Sequence, residues 1–139
     1  LNGVIDEFAD LSFLKHLQGR VVLHMAAVRR INSFGVRLWI DGVRAIPAEA
    51  EVTFVEVAIP LVEQMNMVQG FFGEGAVESF VAPMACGQCG ATTARIFTVA
   101  ECTKASPPHL PAGKCSACGA DALELDDIEE QYLAFLKDF

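Results

Sequence analysis

The sequence is short of cations and has no long apolar run, and each shortage excludes a class of protein. Lysine and arginine number 10 against 18 acidic residues, so the formal net charge is -8. This charge repels phosphates, and we therefore expect no nucleic-acid partner. The apolar run at residues 21–28 is interrupted by His24 and falls short of the roughly 18 to 20 residues that a membrane helix needs. We expect no membrane partner either.

Other features are also missing. No secretory signal precedes the first structured segment, and there is no internal repeat or low-complexity segment. The sequence shows no glycine-rich phosphate loop and no pairing of a nucleophile with a general base. These absences predict a non-enzymatic protein of the cytoplasm. With hydrophobic residues at 53% and charged residues at 20%, the chain can bury a core.

What the sequence does contain, up to about Pro83, is an alternation of strand-like and helix-like segments. The predicted strands are 3–6, 20–28, 50–58 and 76–83, and the predicted helices are 7–19, 33–46 and 59–73. Alternating strands and helices with short connections predict parallel strands joined by right-handed crossovers. We therefore expect an α/β domain over residues 1–84, with helices covering its sheet. The continuous apolar run at 20–28 predicts a strand buried on both faces, and hence a buried, hydrogen-bonded His24.

After residue 84 the composition changes, and two Cys-x-x-Cys-Gly motifs appear. They are CGQCG, with Cys86 and Cys89, and CSACG, with Cys115 and Cys118. Two residues between thiolates let one turn present both sulfurs to one ion, and the following glycine permits a sharp backbone turn. Four thiolates complete a closed tetrahedral shell, which predicts one structural zinc ion per chain.

Alternatives for these thiols stay open. Either pair could exchange as a dithiol, although that chemistry uses a single pair near a helix start, and iron fits the same four-thiolate cage. Cys102 and His109 lie between the motifs and could each replace a ligand. We interpret them instead as a packed thiol and a solvated histidine.

The two motifs give residues 85–125 a resemblance to a zinc ribbon, in which two knuckles hold the ends of a small antiparallel sheet. Within this region, residues 93–101 predict a strand and residues 106–113 a proline-rich loop. Residues 126–139 predict a C-terminal amphipathic helix, with acids at its start and Lys137 near its end, as the helix dipole favours. The predicted organisation is thus an α/β domain, a zinc-ribbon β appendage and a terminal helix.

The polar turn INSFG comes directly before the predicted helix at 33–46. Asn32 or Ser33 can cap this helix by accepting hydrogen bonds from its free amides. The same helix start attracts anions, so a phosphate could also bind there. Gly35 permits the close approach of a neighbouring backbone. The turn by itself favours capping over ligand binding.

The stretch LQGRVVLHMAAVRRINSFGVRLWIDGVRAI, residues 17–46, resembles the core of a STAS domain, the fold of anti-sigma factor antagonists and of sulphate-transporter tails. The resemblance covers about residues 1–83 and rests on the spacing of strand, turn and helix. It implies that the helix after the turn docks on a protein partner. By this resemblance the partner is a regulatory kinase-like protein or another STAS-domain protein.

The chain departs from this family at the regulatory turn. The family turn reads Asp-Ser-Ser-Gly, and the partner kinase phosphorylates the second serine. Phe34 stands at that position and has no hydroxyl, while Asn32 and His24 replace the acids of the family's turn and strand. We therefore predict that the phosphorylation switch is lost. The predicted partner-binding surface comprises Asn32, Ser33, Phe34, Arg37, Asp41 and Arg44.

These patterns predict a non-enzymatic regulator or scaffold that binds a protein through its STAS-like domain and carries a structural zinc site. A first alternative is a binder of a small anionic ligand or nucleotide at the Asn32–Ser33 helix start. A second is a ribbon that binds nucleic acid. The composition argues against this second alternative, because only four basic residues follow Met84, against eight acids.

Overall fold

The fold is mixed α/β, and strands and helices alternate along the first half of the chain except over residues 20–31, where two strands follow one another directly. The computed structural model describes residues 2–111 and 113–138. The strands are β1 (Asn2–Ile5), β2 (Arg20–His24), β3 (Ala27–Ile31), β4 (Glu51–Val55), β5 (Ala76–Val77), β6 (Ser79–Cys86), β7 (Thr92–Thr98) and β8 (Leu123–Leu125). The helices are α1 (Ser33–Arg44), α2 (Ile59–Met67), α3 (Val99–Cys102) and α4 (Glu129–Tyr132), with 3-10 helices at Ser12–His16 and Ala134–Asp138.

The strands form three small sheets in the described part of the chain. β1 pairs with β3, and β2, β4 and β5 form a second sheet in the order β2-β4-β5; all of these pairs are parallel, as predicted. The third sheet is antiparallel, with the order β7-β6-β8. A parallel bridge at Val57 and Phe80 joins the parallel strands to β6, where the Val57 amide donates to the Ser79 carbonyl at 3.1 Å.

The predicted strand at 20–28 is two strands in two different sheets. The chain turns at Met25, which is buried, and the Val28 amide donates to the Met25 carbonyl at 3.3 Å. β2 therefore pairs with β4, whereas β3 pairs with β1. Burial alternates along β2, and Val22 and His24 point to an exposed face. The prediction of burial on both faces was wrong, and so was the prediction of a buried His24.

The predicted helix at 7–19 is only the 3-10 helix Ser12–His16. Aspartate side chains account for the difference, because they bond to the backbone ahead of the helix. The Phe8 amide donates to Asp6 Oδ1 at 2.9 Å, and the Ser12 amide donates to Asp10 Oδ1 at 3.0 Å. Such local bonds hold the backbone in turns and compete with helix formation.

Two other predicted helices are shorter than expected. α2 ends at Met67 instead of residue 73, because Val68 is extended and Gly70 adopts φ 75° in the turn that follows. The predicted helix over 126–139 is the short α4 followed by a 3-10 helix. Asn66 interrupts it by bonding to the backbone of Tyr132 and Phe135, groups that a continuous helix would pair internally.

Aromatic side chains fill the core beneath α1. The Trp39 ring meets Phe54 edge-on with centroids 5.9 Å apart, and its Nε1–H donates to the Phe71 carbonyl at 2.9 Å. Gly35 lies where α1 crosses β1, and a Cβ added there would sit 1.9 Å from the Ile5 carbonyl oxygen. The expected close backbone approach at Gly35 is confirmed.

β6 links the α/β part of the chain to the cysteine-rich part. The strand runs from Ser79 to Cys86 and so crosses the predicted boundary after residue 84. Phe80 packs against Phe97 of β7 and, edge-on at 5.1 Å, against Phe135 near the C-terminus. Buried residues from both parts belong to one hydrophobic cluster.

Candidate metal centre and the outer face of α1

Two turns with matching backbones carry the four motif cysteines. In the first, the Cys86 amide donates to the Ala91 carbonyl, and the Gly90 amide donates to the Cys86 carbonyl, both at 2.9 Å. In the second, the Cys115 amide donates to the Ala120 carbonyl at 2.9 Å, and the Gly119 amide to the Cys115 carbonyl at 2.8 Å. Gly90 and Gly119 both have φ 76°, a region that glycine adopts without strain. The prediction that the glycine after each cysteine pair permits a sharp backbone turn is confirmed.

The pairing of β6 with β8 brings the two turns together. Cys86 is the last residue of β6 and lies opposite Leu123 of β8. All four sulfurs lie within 4.8 Å of one another. Cys86 Sγ is 3.7 Å from Cys118 Sγ, and Cys89 Sγ is 3.6 Å from Cys115 Sγ.

These separations fit a shared metal ion. Four sulfurs placed about 2.3 Å from a central zinc ion form a tetrahedron with edges of roughly 3.8 Å, whereas a disulfide needs sulfurs about 2.05 Å apart. All five cysteines are free thiols. In the described part of the chain, these four are the one group of three or more His, Cys, Asp or Glu side chains that could share an ion.

Backbone amides prepare the first sulfur of each turn for the thiolate state. The Cys89 amide, together with that of Gln88, lowers the pKa of Cys86 to about 6. The amides of Cys118 and Ala117 likewise lower the pKa of Cys115. Amide donors favour the charged sulfur, which is the metal-binding form.

The last thiol of the cluster behaves differently. The Ala120 amide lowers the pKa of Cys118, but desolvation and the neighbouring cysteine side chains outweigh this effect and raise the pKa to about 12. Close thiols that share one site cannot all ionise unless a cation compensates their charge. A divalent ion held by these four cysteines would supply that charge and would favour loss of the remaining thiol protons.

Neither Cys102 nor His109 belongs to this cluster. Cys102 is fully buried at the end of α3, and burial, with smaller effects of Glu101 and Glu129, raises its pKa to about 12. His109 is largely exposed, and its Nδ1 lies 2.6 Å from Glu129 Oε1. The packed thiol is confirmed, whereas the histidine is a solvated side chain with a carboxylate partner.

Asn32, not Ser33, caps α1. The Gly35 amide donates to Asn32 Oδ1 at 2.7 Å, whereas Ser33 is the first residue of the helix. Asn32 Nδ2 also donates to Glu7 Oε2 at 3.0 Å. The Glu7 backbone amide and the Asn32 side chain lower the pKa of Glu7. The start of α1, which attracts anions, therefore has a carboxylate of the same chain beside it.

The outer face of α1 carries the predicted partner-binding residues. Phe34 is 64% exposed in the first turn of the helix. Arg37, Asp41 and Arg44 follow on the same solvent-facing side. Phe8, which is also exposed, lies in the loop that the Glu7–Asn32 bond holds next to this helix start. All six predicted residues are exposed.

Sequence reasoning missed Glu7 and Asn66. Glu7 meets Asn32 across 25 positions of sequence, and Asn66 meets Phe135 across 69. Hydrogen bonds over such separations depend on the tertiary fold and leave no spacing pattern. The exposed Phe8 also had no distinguishing pattern, because it occupies an apolar position of the predicted helix at 7–19.

No protein-family model, curated protein or solved structure matches this chain. Among the described helices, none combines the length and the apolar character that crossing a membrane requires.

Proposed function

We propose that this chain is a non-enzymatic regulatory or scaffold protein that binds a protein partner through a STAS-like α/β part. In this proposal a zinc-ribbon part carries one structural zinc ion, and the protein acts in the cytoplasm, where thiols stay reduced. The observation that carries the proposal is the exposure of Phe34, 64% of its surface, at the capped start of α1.

Phe34 has the properties of an anchor at a protein interface. Its aromatic ring is large and exposed, and the helix that carries it is fixed by the Asn32 cap and by the buried Trp39. Arg37, Asp41 and Arg44 follow it along the same exposed side of α1 and carry both signs of charge, which suits the polar rim of an interface. Aromatic residues within such rims contribute much of the binding free energy in known interfaces.

The partner in this proposal is a regulatory kinase-like protein or another STAS-domain protein, and docking does not depend on phosphorylation. Phe34 supplies no hydroxyl where the related family has its acceptor. We expect mass spectrometry to find no phosphate on this turn after incubation with a kinase of that family. Stoichiometric phosphate on the neighbouring Ser33 would show that a switch exists one residue earlier.

The proposed zinc ion rests on the donor set. Four thiolates at tetrahedral spacing, with no water or carboxylate needed to complete the shell, are typical of structural zinc sites. Elemental analysis of the purified protein is expected to find one zinc ion per chain. Stoichiometric iron would show that the four cysteines hold iron instead of zinc. Native disulfides between them, detected by mass spectrometry, would exclude the metal site.

The docking proposal is tested by comparing capture of partners on immobilised wild-type and variant proteins. The Phe34→Asp substitution is expected to weaken binding of a captured partner by ~2 kcal/mol, with little change in melting temperature because the side chain is exposed. Ile96→Asp is the matched control, since Ile96 is 53% exposed on β7. Equal binding by Phe34→Asp and wild type would place the docking site elsewhere.

The alternative of a small anionic ligand at the Asn32–Ser33 helix start has an observation against it. The Glu7 carboxylate accepts from Asn32 Nδ2 beside that helix start. A phosphate there would be repelled by Glu7 and would compete with it for the same donor. We therefore propose no second function.

A further inference from the structure

One side chain of α2, that of Asn66, makes two hydrogen bonds to the backbone of the C-terminal residues. Asn66 Nδ2 donates to the Tyr132 carbonyl at 2.8 Å, and the Phe135 amide donates to Asn66 Oδ1 at 2.8 Å. The Tyr132 hydroxyl donates to the Val81 carbonyl of β6 at 2.6 Å. We call residues 126–138 the terminal strap, because this segment crosses α2 and β6.

The strap covers apolar surface that belongs to the α/β part. Phe135 lies edge-on to Phe80, with ring centroids 5.1 Å apart. Tyr132, Leu133 and Leu136 are also buried. The strap itself has only a four-residue α-helix and a five-residue 3-10 helix. Helices this short do not persist in water unless tertiary contacts hold them.

Three connections join the strap to the metal centre. β8 ends directly before the strap and pairs with β6 beside Cys86. The Asp126 amide donates to the Pro83 carbonyl at 2.8 Å. Glu129 Oε1 accepts from the Leu110 amide at 3.2 Å and lies beside His109, in the loop between the two cysteine turns.

We propose that metal binding at the four cysteines controls whether the terminal strap docks on α2 and β6. The metal fixes the turn at Cys115–Cys118 against the end of β6, and this sets the starting point of β8 and of the strap. Without that crosslink, the strap must be ordered by its own contacts and the entropic cost of docking it rises. The inference rests on the proposed metal site and gives that site a role in conformational control.

Coupling of this kind is reciprocal. If metal binding favours the docked strap, then loosening the strap must weaken metal binding by the same factor. Asn66 is suited to this test because α2 supplies no cysteine to the cluster. An effect of Asn66 on zinc affinity would therefore have to pass through the strap.

The first experiment compares hydrogen exchange of the zinc-loaded full chain with the same protein after a zinc chelator is added. We expect exchange to rise in residues 126–138, while α1 and β4 stay protected. Faster exchange confined to residues 86–122 would overturn the inference, because the strap would then dock without metal. Loss of protection throughout the chain would also overturn it, because the metal would then stabilise the fold as a whole.

The second experiment measures zinc affinity by competition with a chromophoric chelator. Asn66→Ala is expected to raise the zinc Kd about tenfold, within the usual range of coupling between sites. Met67→Ala is the matched control, because Met67 is 70% exposed on the same helix. An unchanged Kd in Asn66→Ala would overturn the coupling, whereas failure of the wild-type protein to bind zinc would overturn the proposed metal site itself.

Discussion

Gly35 lies at a close contact between α1 and the backbone of β1. In the Gly35→Ala variant the new Cβ would fall 1.9 Å from the Ile5 oxygen and 2.5 Å from its carbonyl carbon. Alanine gains roughly 1 kcal/mol of helix propensity over glycine, but main-chain atoms of β1 cannot rotate out of the way as a side chain can.

We expect the steric overlap with Ile5 to outweigh the gain in helix propensity. Gly35→Ala should therefore lower the free energy of unfolding by about 2 kcal/mol. Urea denaturation measures this change. Gly87→Ala is the control, because the nearest atom to a Cβ there is 3.7 Å away. A Gly35→Ala protein as stable as wild type would show that the helix and strand are not in this contact.

The buried thiol of Cys102 makes the free energy of unfolding depend on pH in the alkaline range. Its folded-state pKa of about 12 exceeds the ordinary value of 9.0, mainly because of burial. The folded chain thus holds the proton more tightly than the unfolded chain. The stabilisation is complete below pH 9.0 and is lost as the pH rises toward 12.

We expect wild type to lose more unfolding free energy than Cys102→Ala between about pH 8 and pH 10. Both proteins keep the same four motif thiols, so the pH dependence of metal binding cancels in the comparison. Chemical denaturation across this range supplies the measurement. Parallel profiles for the two proteins would contradict the raised pKa of Cys102.

At the scale of the element, the start of α1 depends on Asn32. Its Oδ1 accepts from the Gly35 amide, so Asn32→Ala should cost about 1 kcal/mol of stability. Asn32→Ser keeps a capping oxygen and should restore most of the loss. Ser33→Ala is the matched control and should change little, because Ser33 lies inside the helix. Thermal denaturation measures the stability of each variant. A larger loss of stability in Ser33→Ala than in Asn32→Ala would show that Ser33, not Asn32, is the cap.

The elements that sequence patterns predict well are those whose cause is local. α1 has a cap, an apolar stripe and a following proline, and its observed bounds differ from the predicted ones by two residues at the C-terminal end. The cysteine turns follow from spacing and glycine alone. Both depend on residues that lie within a few positions of each other.

Elements decided by distant contacts were predicted poorly. The hydrophobicity of residues 20–28 is correct for a strand but carries no information on the turn at Met25 that divides it between two sheets. The C-terminal segment has a helical apolar pattern, yet Asn66, which lies on α2, forms hydrogen bonds with its backbone and interrupts the helix. The aspartates at 6 and 10 act locally, and their side-chain bonds to the backbone outweigh the helical apolar stripe of residues 7–19.

For the whole molecule, the contacts of β6 bear on whether residues 1–84 fold alone. A chain that stops at residue 84 loses both partners of β6, namely β7 and β8, together with the strap residues packed on Phe80. We expect this fragment to lack a cooperative thermal transition, as judged by circular dichroism. A fragment that melts cooperatively near the temperature of the full chain would show that the α/β part is an independent domain.

The position of the strap residues in the chain also bears on folding during protein synthesis. Leu133 and Leu136 are buried and emerge from the ribosome after the described strands β1 to β8. Domains usually fold as their residues emerge, at about 5–20 residues per second. Here the apolar surface of α2 and β6 stays uncovered until the last of these residues is released. During that interval the surface of α2 and β6 is exposed to aggregation, and chaperones can act on it.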